Sequence, residues 1–292
     1  MSNLKEIKTR IGSVKNTGKM TKAMKMVSAA RLRSAQNRIL NLRAYANNLE
    51  ELLKDVILSQ KVSHPFFEQK TKEELKKILV VVLTSDRGLC GAFNGNICRF
   101  TEDFLKKQEY PQQELYFIGK KGHDYFKFRG YSAQDLILNL VKKVSYPFSA
   151  KIAKQLMNKI LLENYDGVFI IYNEFKSIIA PRIVCERFLP FDLSSERLSQ
   201  NRESLFSQDI LFEVSSQELL DSLLERYFSV QIYRCLCENV AAEHGSRMAA
   251  MENAAKNADE VGRSLNLKYN KLRQSSITTE LIEIVSGAES LK

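Results

Sequence analysis

The stretch at residues 85–96, SDRGLCGAFNGN, holds the residues best spaced for ligand chemistry. Gly88, Gly91 and Gly95 follow an apolar run and precede a helical pattern, and a strand, a glycine loop and a helix in this order can hold a nucleotide phosphate. The spacing G-x-x-G-x-x-x-G is not a dinucleotide fingerprint, and no Walker lysine follows. A structural turn, in which Ser85 or Asp86 caps a helix, is favoured over a nucleotide site.

The histidines and cysteines do not form a recognisable catalytic or metal-binding pattern. His64, His123 and His244 have no metal-ligand spacing, and neither H-E-x-x-H nor G-x-S-x-G occurs. His244 is predicted to be a packed polar side chain on a helix. The odd number of cysteines and the lack of C-x-x-C predict free thiols in a reducing compartment. We therefore predict no catalytic residue, no bound metal and no cofactor.

The central part of the chain alternates strand and helix patterns. Residues 77–84 form a continuous apolar run, as expected for a strand buried on both faces. Further strands are predicted at 114–119, 166–173 and 177–190, with helices at 120–129 and 148–163. Such alternation is typical of a Rossmann-like α/β domain with a doubly wound, mostly parallel sheet.

Both ends of the chain are predicted to be long helices. All five prolines lie between Pro65 and Pro190, and a proline inside a helix costs about 3 kcal/mol. Heptad-spaced apolar residues run through each end, for example Leu32, Ile39 and Leu53 near the start, which predicts an antiparallel coiled coil of the two terminal helices. The fold class is thus α/β plus long helices. The predicted segments are an N-terminal coiled-coil helix (1–60), a linker (61–76), an α/β domain (77–190), a foot or connector (191–217) and a C-terminal coiled-coil helix (218–292).

The N-terminal heptad pattern is interrupted in its first half. Gly18, Thr21, Lys25 and Ser28 stand at positions where apolar residues are expected, and apolar side chains shift to Met20, Met24 and Val27. This shift predicts either a local change of helix winding or a stretch whose apolar face meets another partner.

The net charge of +10 lies entirely at one end. Residues 1–43 hold eleven Lys or Arg and a single acid, Glu6, whereas the remaining 33 bases and 33 acids balance. Like charges along a helix repel, so an acidic partner is predicted for this segment. The alternative function is that of a basic coiled-coil nucleic-acid-binding protein, which predicts salt-dependent DNA affinity. A nucleotide-dependent enzyme that uses the central domain would instead predict nucleotide binding that requires Asp86 or Gly88.

Three segments carry a resemblance to a known family: residues 7–33, 83–94 (LTSDRGLCGAFN) and 269–291 (YNKLRQSSITTELIEIVSGAESL). Together with the end-to-end pattern, they resemble the gamma subunit of bacterial F-type ATP synthases. The resemblance implies a non-catalytic rotor shaft that couples ion-driven rotation of a membrane c-ring to the catalytic beta subunits. It implies one copy per complex, alpha, beta and epsilon subunits and the c-ring as partners, no nucleic acid, and a peripheral position on the cytoplasmic side of the inner membrane.

The resemblance also implies roles for individual residues. Beta-subunit contacts are expected at Lys15, Lys19, Lys22, Met24, Lys25, Arg31, Arg247, Arg273, Gln274 and Thr278. A hydrophobic bearing is expected at Ile277, Leu281, Ile284 and Val285. A foot that meets the c-ring and epsilon is expected at Leu211, Phe212 and Glu213. Gly12, Gly18 and Gly262 are predicted to allow close helix approach or bending.

Overall fold

Two long helices bracket the chain in the computed structural model, which describes residues 2–60, 66, 74–108, 110–131, 133–138, 144–177, 181–191 and 216–289. Helix α1 spans Ser2–Gln60 and the last helix spans Ser216–Glu289. Neither helix contains proline, so no missing N–H interrupts its backbone hydrogen bonds. Two compact units are distinguished: unit 1 comprises Met1–Ala29 and Arg247–Lys292, and unit 2 comprises Ala30–Ser246.

Unit 2 contains a five-stranded sheet between helices. In chain order its elements are β1 (Lys77–Leu83), α2 (Phe93–Gln108), β2 (Gln112–Ile118), α3 (Lys120–Phe128), β3 (Ala133–Ile137), α4 (Tyr146–Glu163), β4 (Gly167–Glu174) and β5 (Arg182–Leu189). The last helix is α5. The strand order is β3-β2-β1-β4-β5. The first four strands pair in parallel, and β5 pairs antiparallel with β4, with Tyr172 opposite Val184.

The predicted α/β sheet is confirmed, with two differences of detail. The pattern analysis did not predict β3, which is short and lies at an edge of the sheet. Within the stretch 177–190, predicted as a strand, the described residues include strand β5 at Arg182–Leu189, which runs antiparallel to β4. A reversed edge strand is common on otherwise parallel sheets.

The two faces of the sheet are covered by different helices. Along β1, Leu79, Val81 and Leu83 belong to one apolar cluster and the alternate residues Ile78, Val80 and Val82 to another. The first cluster is completed by residues 46–57 of α1, 220–236 of α5 and the buried side of α4. The second is completed by α2 and α3. Every residue of β1 from 78 to 83 is buried, as the apolar run predicted.

Candidate functional site

The residues directly after β1 accept hydrogen bonds from the N-terminus of α3. The first three N–H groups of α3 are all bonded to them: Lys120 N donates to Asp86 Oδ1 at 3.2 Å, Lys121 N to the Ser85 carbonyl at 3.0 Å, and Gly122 N to Thr84 Oγ1 at 2.9 Å. These groups are the ones that would bind a phosphate at a helix N-terminus. Asp86 therefore caps a helix, but the helix is α3 and not α2, which follows in the sequence.

Two glycines let α3 approach β1 closely. Gly119 has φ +113°, and a Cβ atom built on it would lie 2.3 Å from the Thr84 carbonyl oxygen. A Cβ on Gly122 would lie 2.8 Å from Thr84 Cγ2. Backbone and side chains thus fill the space between Thr84 and the N-terminus of α3, and the structural turn is the interpretation that fits.

The two described histidines pack among other residues of the chain. His123 stacks edge-on against Phe117, and His244 is buried on α5; His64 lies outside the described residues. Within the described ranges no group of three His, Cys, Asp or Glu side chains could hold a metal ion. All five cysteines are free thiols.

In unit 1, α1 and α5 pair antiparallel along small and polar residues. Gly18, Thr21 and Ser28 are buried, and a Cβ on Gly18 would lie 3.5 Å from Ala258 Cβ. Thr21 satisfies its hydroxyl locally, with Oγ1 donating to backbone oxygens of Thr17 or Gly18 at 3.1 and 3.0 Å. The heptad positions Gly18, Thr21 and Ser28 therefore stay in the interface as small residues. Of the two predicted alternatives, this arrangement fits an apolar stretch that faces away from the partner helix.

The displaced apolar residues instead face outwards. Met20 and Val27 are 64% and 52% exposed, and Met24 is half-buried. Gly262 lies in the interface, where a Cβ would be 3.9 Å from Val14 Cγ1, whereas Gly12 faces open space. Unit 1 thus presents an apolar strip outside the interface. Gly18 and Gly262 face the partner helix, but a Cβ added at either would make only ordinary van der Waals contact, and Gly12 faces open space.

The basic residues of unit 1 fall into two groups. Lys22 Nζ lies 2.8 Å from Asp259 Oδ2, and Lys25 Nζ lies 3.1 Å from Glu252 Oε1. The hydrogen bond from Lys25 lowers the pKa of Glu252. Lys15 and Lys19 are exposed and form no ion pair with any residue that the structure describes. Two of the basic residues expected to bind a partner, Lys22 and Lys25, are therefore already paired with acidic residues of α5.

The predicted bearing residues are exposed. Ile277, Leu281, Ile284 and Val285 are all about half exposed or more, and Ile282, which the sequence analysis did not single out, joins them. Arg273, Gln274 and Thr278 are also exposed, and Thr278 Oγ1 donates to the Gln274 carbonyl at 2.9 Å. The end of α5 is a helix with apolar side chains and no cover among the residues described.

The remaining predicted contact residues have varied surroundings. Arg31 lies in unit 2 and lines a cleft of about 670 Å³ with Arg38, Arg87 and His244. Arg247 is only 8% exposed. The predicted foot residues, Leu211, Phe212 and Glu213, lie outside the described residues.

A polar cluster that the sequence analysis missed joins the helices to the sheet in unit 2. Arg43 donates through Nε to Glu238 Oε1 at 2.7 Å and through Nη2 to Oε2 at 2.9 Å; Nη2 also lies 3.0 Å from the Phe175 carbonyl. Phe175 N donates to Glu238 Oε2 at 2.9 Å. The Glu238 side chain is 1% exposed, and its hydrogen bonds raise the pKa of Arg43. The acid is thus fully paired, as burial of a charge requires.

A second arginine completes this cluster, which we term the polar joint. Arg234 of α5 donates to Glu186 of β5 and, at 2.9 Å, to the hydroxyl of Tyr172 of β4. Tyr172 in turn donates to Glu186 Oε1 at 2.7 Å. The polar joint comprises Arg43, Tyr172, Phe175, Glu186, Arg234 and Glu238. No signal in the sequence singled it out, because Arg43 and Glu238 stand in helical stretches that hold other polar and charged residues.

Comparisons with known proteins cover the whole chain. A family model described as "ATP synthase" matches residues 3–291. A protein of Bdellovibrio bacteriovorus named "ATP synthase gamma chain" is 49% identical over 296 residues, and one of Geobacter metallireducens with the same name is 42% identical over 295 residues; both alignments cover all of each chain.

Solved structures agree with these relatives. A chain from the Tetrahymena thermophila mitochondrial ATP synthase central stalk and c-ring matches with a TM-score of 0.64 and 27% identity, covering 80% of this chain and 99% of the other. A chain from the Euglena gracilis mitochondrial ATP synthase matches with a TM-score of 0.71, 99% and 95% coverage, and 21% identity, which supports the fold.

Proposed function

Because the chain belongs to the ATP synthase gamma-chain family, we infer that it is the central rotor shaft of an F-type ATP synthase. The observation that carries this inference is the full-length, 49% identical relationship to a bacterial gamma chain. The subunit is non-catalytic; ATP is made and hydrolysed in the beta subunits. Its task is to couple rotation of the c-ring to the cycling of those sites.

The partners follow from this role. They are the alpha and beta subunits around the long helices, the epsilon subunit and the c-ring, with one copy of this chain in each complex. None of the described helices is long and apolar enough to cross a bilayer. We propose a peripheral position on the cytoplasmic side of the inner membrane, reached through the c-ring.

The exposed bases of α1 suit contacts that are made and broken in every turn. Lys15, Lys19 and Arg31 are exposed, and an ion pair between exposed side chains is worth only about 0–1 kcal/mol. We propose that they meet acidic side chains of the beta subunits. Met20 and Met24 lie on the same helix and would give these contacts an adaptable apolar component.

Lys22 and Lys25 are proposed to exchange partners during rotation. Each already pairs with an acid of α5, and all four side chains are about 40–55% exposed. Replacing one exposed carboxylate by another changes the free energy little. A passing acid of a beta subunit could therefore capture either lysine without a large barrier. Arg247 is proposed as a weaker contact, since it is mostly buried.

The exposed end of α5 is proposed to turn inside an apolar collar of the alpha and beta subunits. Ile277, Leu281, Ile284 and Val285 offer apolar surface, which attracts without preferred direction. Arg273, Gln274 and Thr278 lie just before it and supply directional hydrogen bonds to a beta-subunit loop. Leu211, Phe212 and Glu213 are proposed for the c-ring and epsilon contact.

Reconstitution with alpha and beta subunits tests the shaft function. The full chain should give a single-copy complex whose ATP hydrolysis exceeds that of alpha and beta alone. A chain lacking residues 273–292 should assemble and hydrolyse ATP more slowly, because the proposed collar and loop contacts are lost. Absence of a complex, with hydrolysis unchanged by the full chain, would contradict the shaft function.

No observation favours the nucleic-acid-binding alternative. The relatives matched over the full length are ATP synthase gamma chains, and two of the bases in the basic segment are paired with acids of α5. A nucleotide site at the glycine loop is likewise not favoured, because protein atoms bond one another there: Ser85 N donates to Asn94 Oδ1 at 3.0 Å, and Phe93 N, at the start of α2, donates to the Cys90 carbonyl at 3.3 Å.

A further inference from the structure

The carboxyl end of β4 is bonded to the long helices, although this edge of an open α/β sheet is ordinarily where a ligand binds. Tyr172, Asn173 and Phe175 each bond α5: Tyr172 through Arg234, Asn173 N to Asn239 Oδ1 at 3.3 Å, and Phe175 N to Glu238 at 2.9 Å. Side chains of α5 therefore occupy this edge, and the sheet uses it to hold a helix.

The bonds of the polar joint run between elements. Arg43 and Glu238 connect α1, α5 and the residue after β4. Arg234, Glu186 and Tyr172 connect α5, β5 and β4. In each group, one arginine bonds two acceptors on different elements, so a shift of any element along its axis would break at least one charged hydrogen bond.

Stability alone does not require this arrangement. The face of the sheet toward α1 and α5 already buries a large apolar cluster, including Leu53 and Leu236. Replacing a buried ion pair with apolar residues is often neutral or stabilising. Apolar attraction, however, depends on area and has no preferred direction, whereas a bidentate arginine–carboxylate pair fixes orientation. The joint supplies what the apolar cluster lacks, which is resistance to sliding and twisting.

We propose that the polar joint transmits torque between the α/β sheet and the long helices α1 and α5. This rests on the proposed shaft function and assigns a positioning role to Arg43, Glu238 and Arg234. Rotation applied to the sheet reaches the helices through charged hydrogen bonds that hold under load. The apolar cluster holds the same elements together at rest.

The test replaces the ion pair with an apolar pair in the complete complex. The variant Arg43→Met/Glu238→Leu, in vesicles with the membrane sector, is assayed for thermal unfolding, ATP hydrolysis and ATP-driven ion pumping against an imposed ion gradient. We expect the unfolding temperature to fall only slightly, because the half-buried Phe175 backbone loses its partners. Gradient-free hydrolysis should stay near wild type, and pumping against the gradient should be largely lost. Arg43→Lys keeps the positive charge but lacks the two parallel N–H donors of the guanidinium group. It should lose part of the pumping.

A matched control removes an ion pair that does not reach the long helices. Arg129 Nε lies 2.9 Å from Glu102 Oε1, joining the end of α3 to α2. The variant Arg129→Met/Glu102→Leu should pump like wild type. A merely structural role for the joint would lower the unfolding temperature and hydrolysis together with pumping.

Two results would overturn the proposal: wild-type pumping against the gradient by Arg43→Met/Glu238→Leu, or equal loss in the control variant. If the double variant does not assemble, the Arg43→Lys variant is used for the test. Wild-type pumping by Arg43→Lys would also overturn the proposal. Failure of the shaft function is seen separately, because the wild-type chain would then not stimulate hydrolysis by alpha and beta.

Discussion

Replacing Gly119 with alanine should destabilise unit 2 severely. Alanine at φ +113° and ψ 138° adopts a backbone conformation that costs about 1–3 kcal/mol. Its Cβ would also lie 2.3 Å from the Thr84 carbonyl oxygen. Thr84 cannot move freely, because its N–H donates to the Ile118 carbonyl at 2.9 Å and its Oγ1 accepts from Gly122 N. Breaking one such buried hydrogen bond costs about 1–3 kcal/mol.

Together these terms give a loss of roughly 2–6 kcal/mol in the free energy of unfolding. For a domain of this size, that corresponds to a fall of roughly 10 °C in the midpoint of thermal unfolding, followed by circular dichroism of the full chain. Gly130→Ala is the matched control: Gly130 also has positive φ, +79°, but nothing lies within 4 Å of its added Cβ. It should cost only about 1–2 kcal/mol. Equal midpoints for the two variants would refute the close-packing argument.

Three further predictions concern other parts of the chain. Gly12→Ala should stabilise the chain by about 0.5–1 kcal/mol, because this helical glycine faces open space; a lower unfolding midpoint would contradict this. Burial raises the pKa of the Cys98 thiol to about 12, so iodoacetamide at pH 8 should label Cys98 in urea but not in the native chain, and rapid native labelling would count against it. Lys25 lowers the pKa of Glu252 from its ordinary 4.5. The pair therefore stabilises the folded chain above that pH, and this contribution is lost as the pH falls through the lowered pKa. Glu252→Gln should reduce stability more at pH 7 than at pH 3, and an equal reduction at both would show that the pairing is unimportant.

The elements with strong local patterns were predictable from the sequence. The run KILVVVL forms β1, buried on both faces, and the proline-free ends form the two long helices. β3 was missed because Ala133–Ile137 is a five-residue edge strand with no continuous apolar run. The direction of β5 could not be read from its sequence, since strand direction depends on the connection and not on the residues paired.

The interface in unit 1 shows what a sequence pattern alone leaves open. Gly18, Thr21 and Ser28 interrupt the apolar heptads, so the sequence predicted either a local change of helix winding or an apolar stretch that faces another partner. The structure keeps these small residues buried, with Gly18 opposite Ala258, while Met20 and Val27 face outwards. Hydrophobicity alone does not identify such a position.

The polar joint was beyond sequence reasoning for a different reason. Arg43 and Glu238 are 195 residues apart, and either one alone resembles an ordinary charged helix residue. Only the pairing, with Phe175 as a third member, distinguishes them from surface charges. Sequence analysis found the residues expected to face partners, and the structure was needed to find those that hold the sheet to the helices.

The way in which α5 covers the sheet has a consequence for how the chain folds during synthesis. The face of the sheet toward α1 is completed by Leu220, Leu224 and Leu236, which the ribosome makes after every strand. Until they emerge, Leu79, Val81 and Ile170 have only part of their apolar cover. Because contacts between the first and last helices close very long loops, they form slowly. The nascent chain therefore exposes a strand-rich apolar surface late into translation, when aggregation competes with folding.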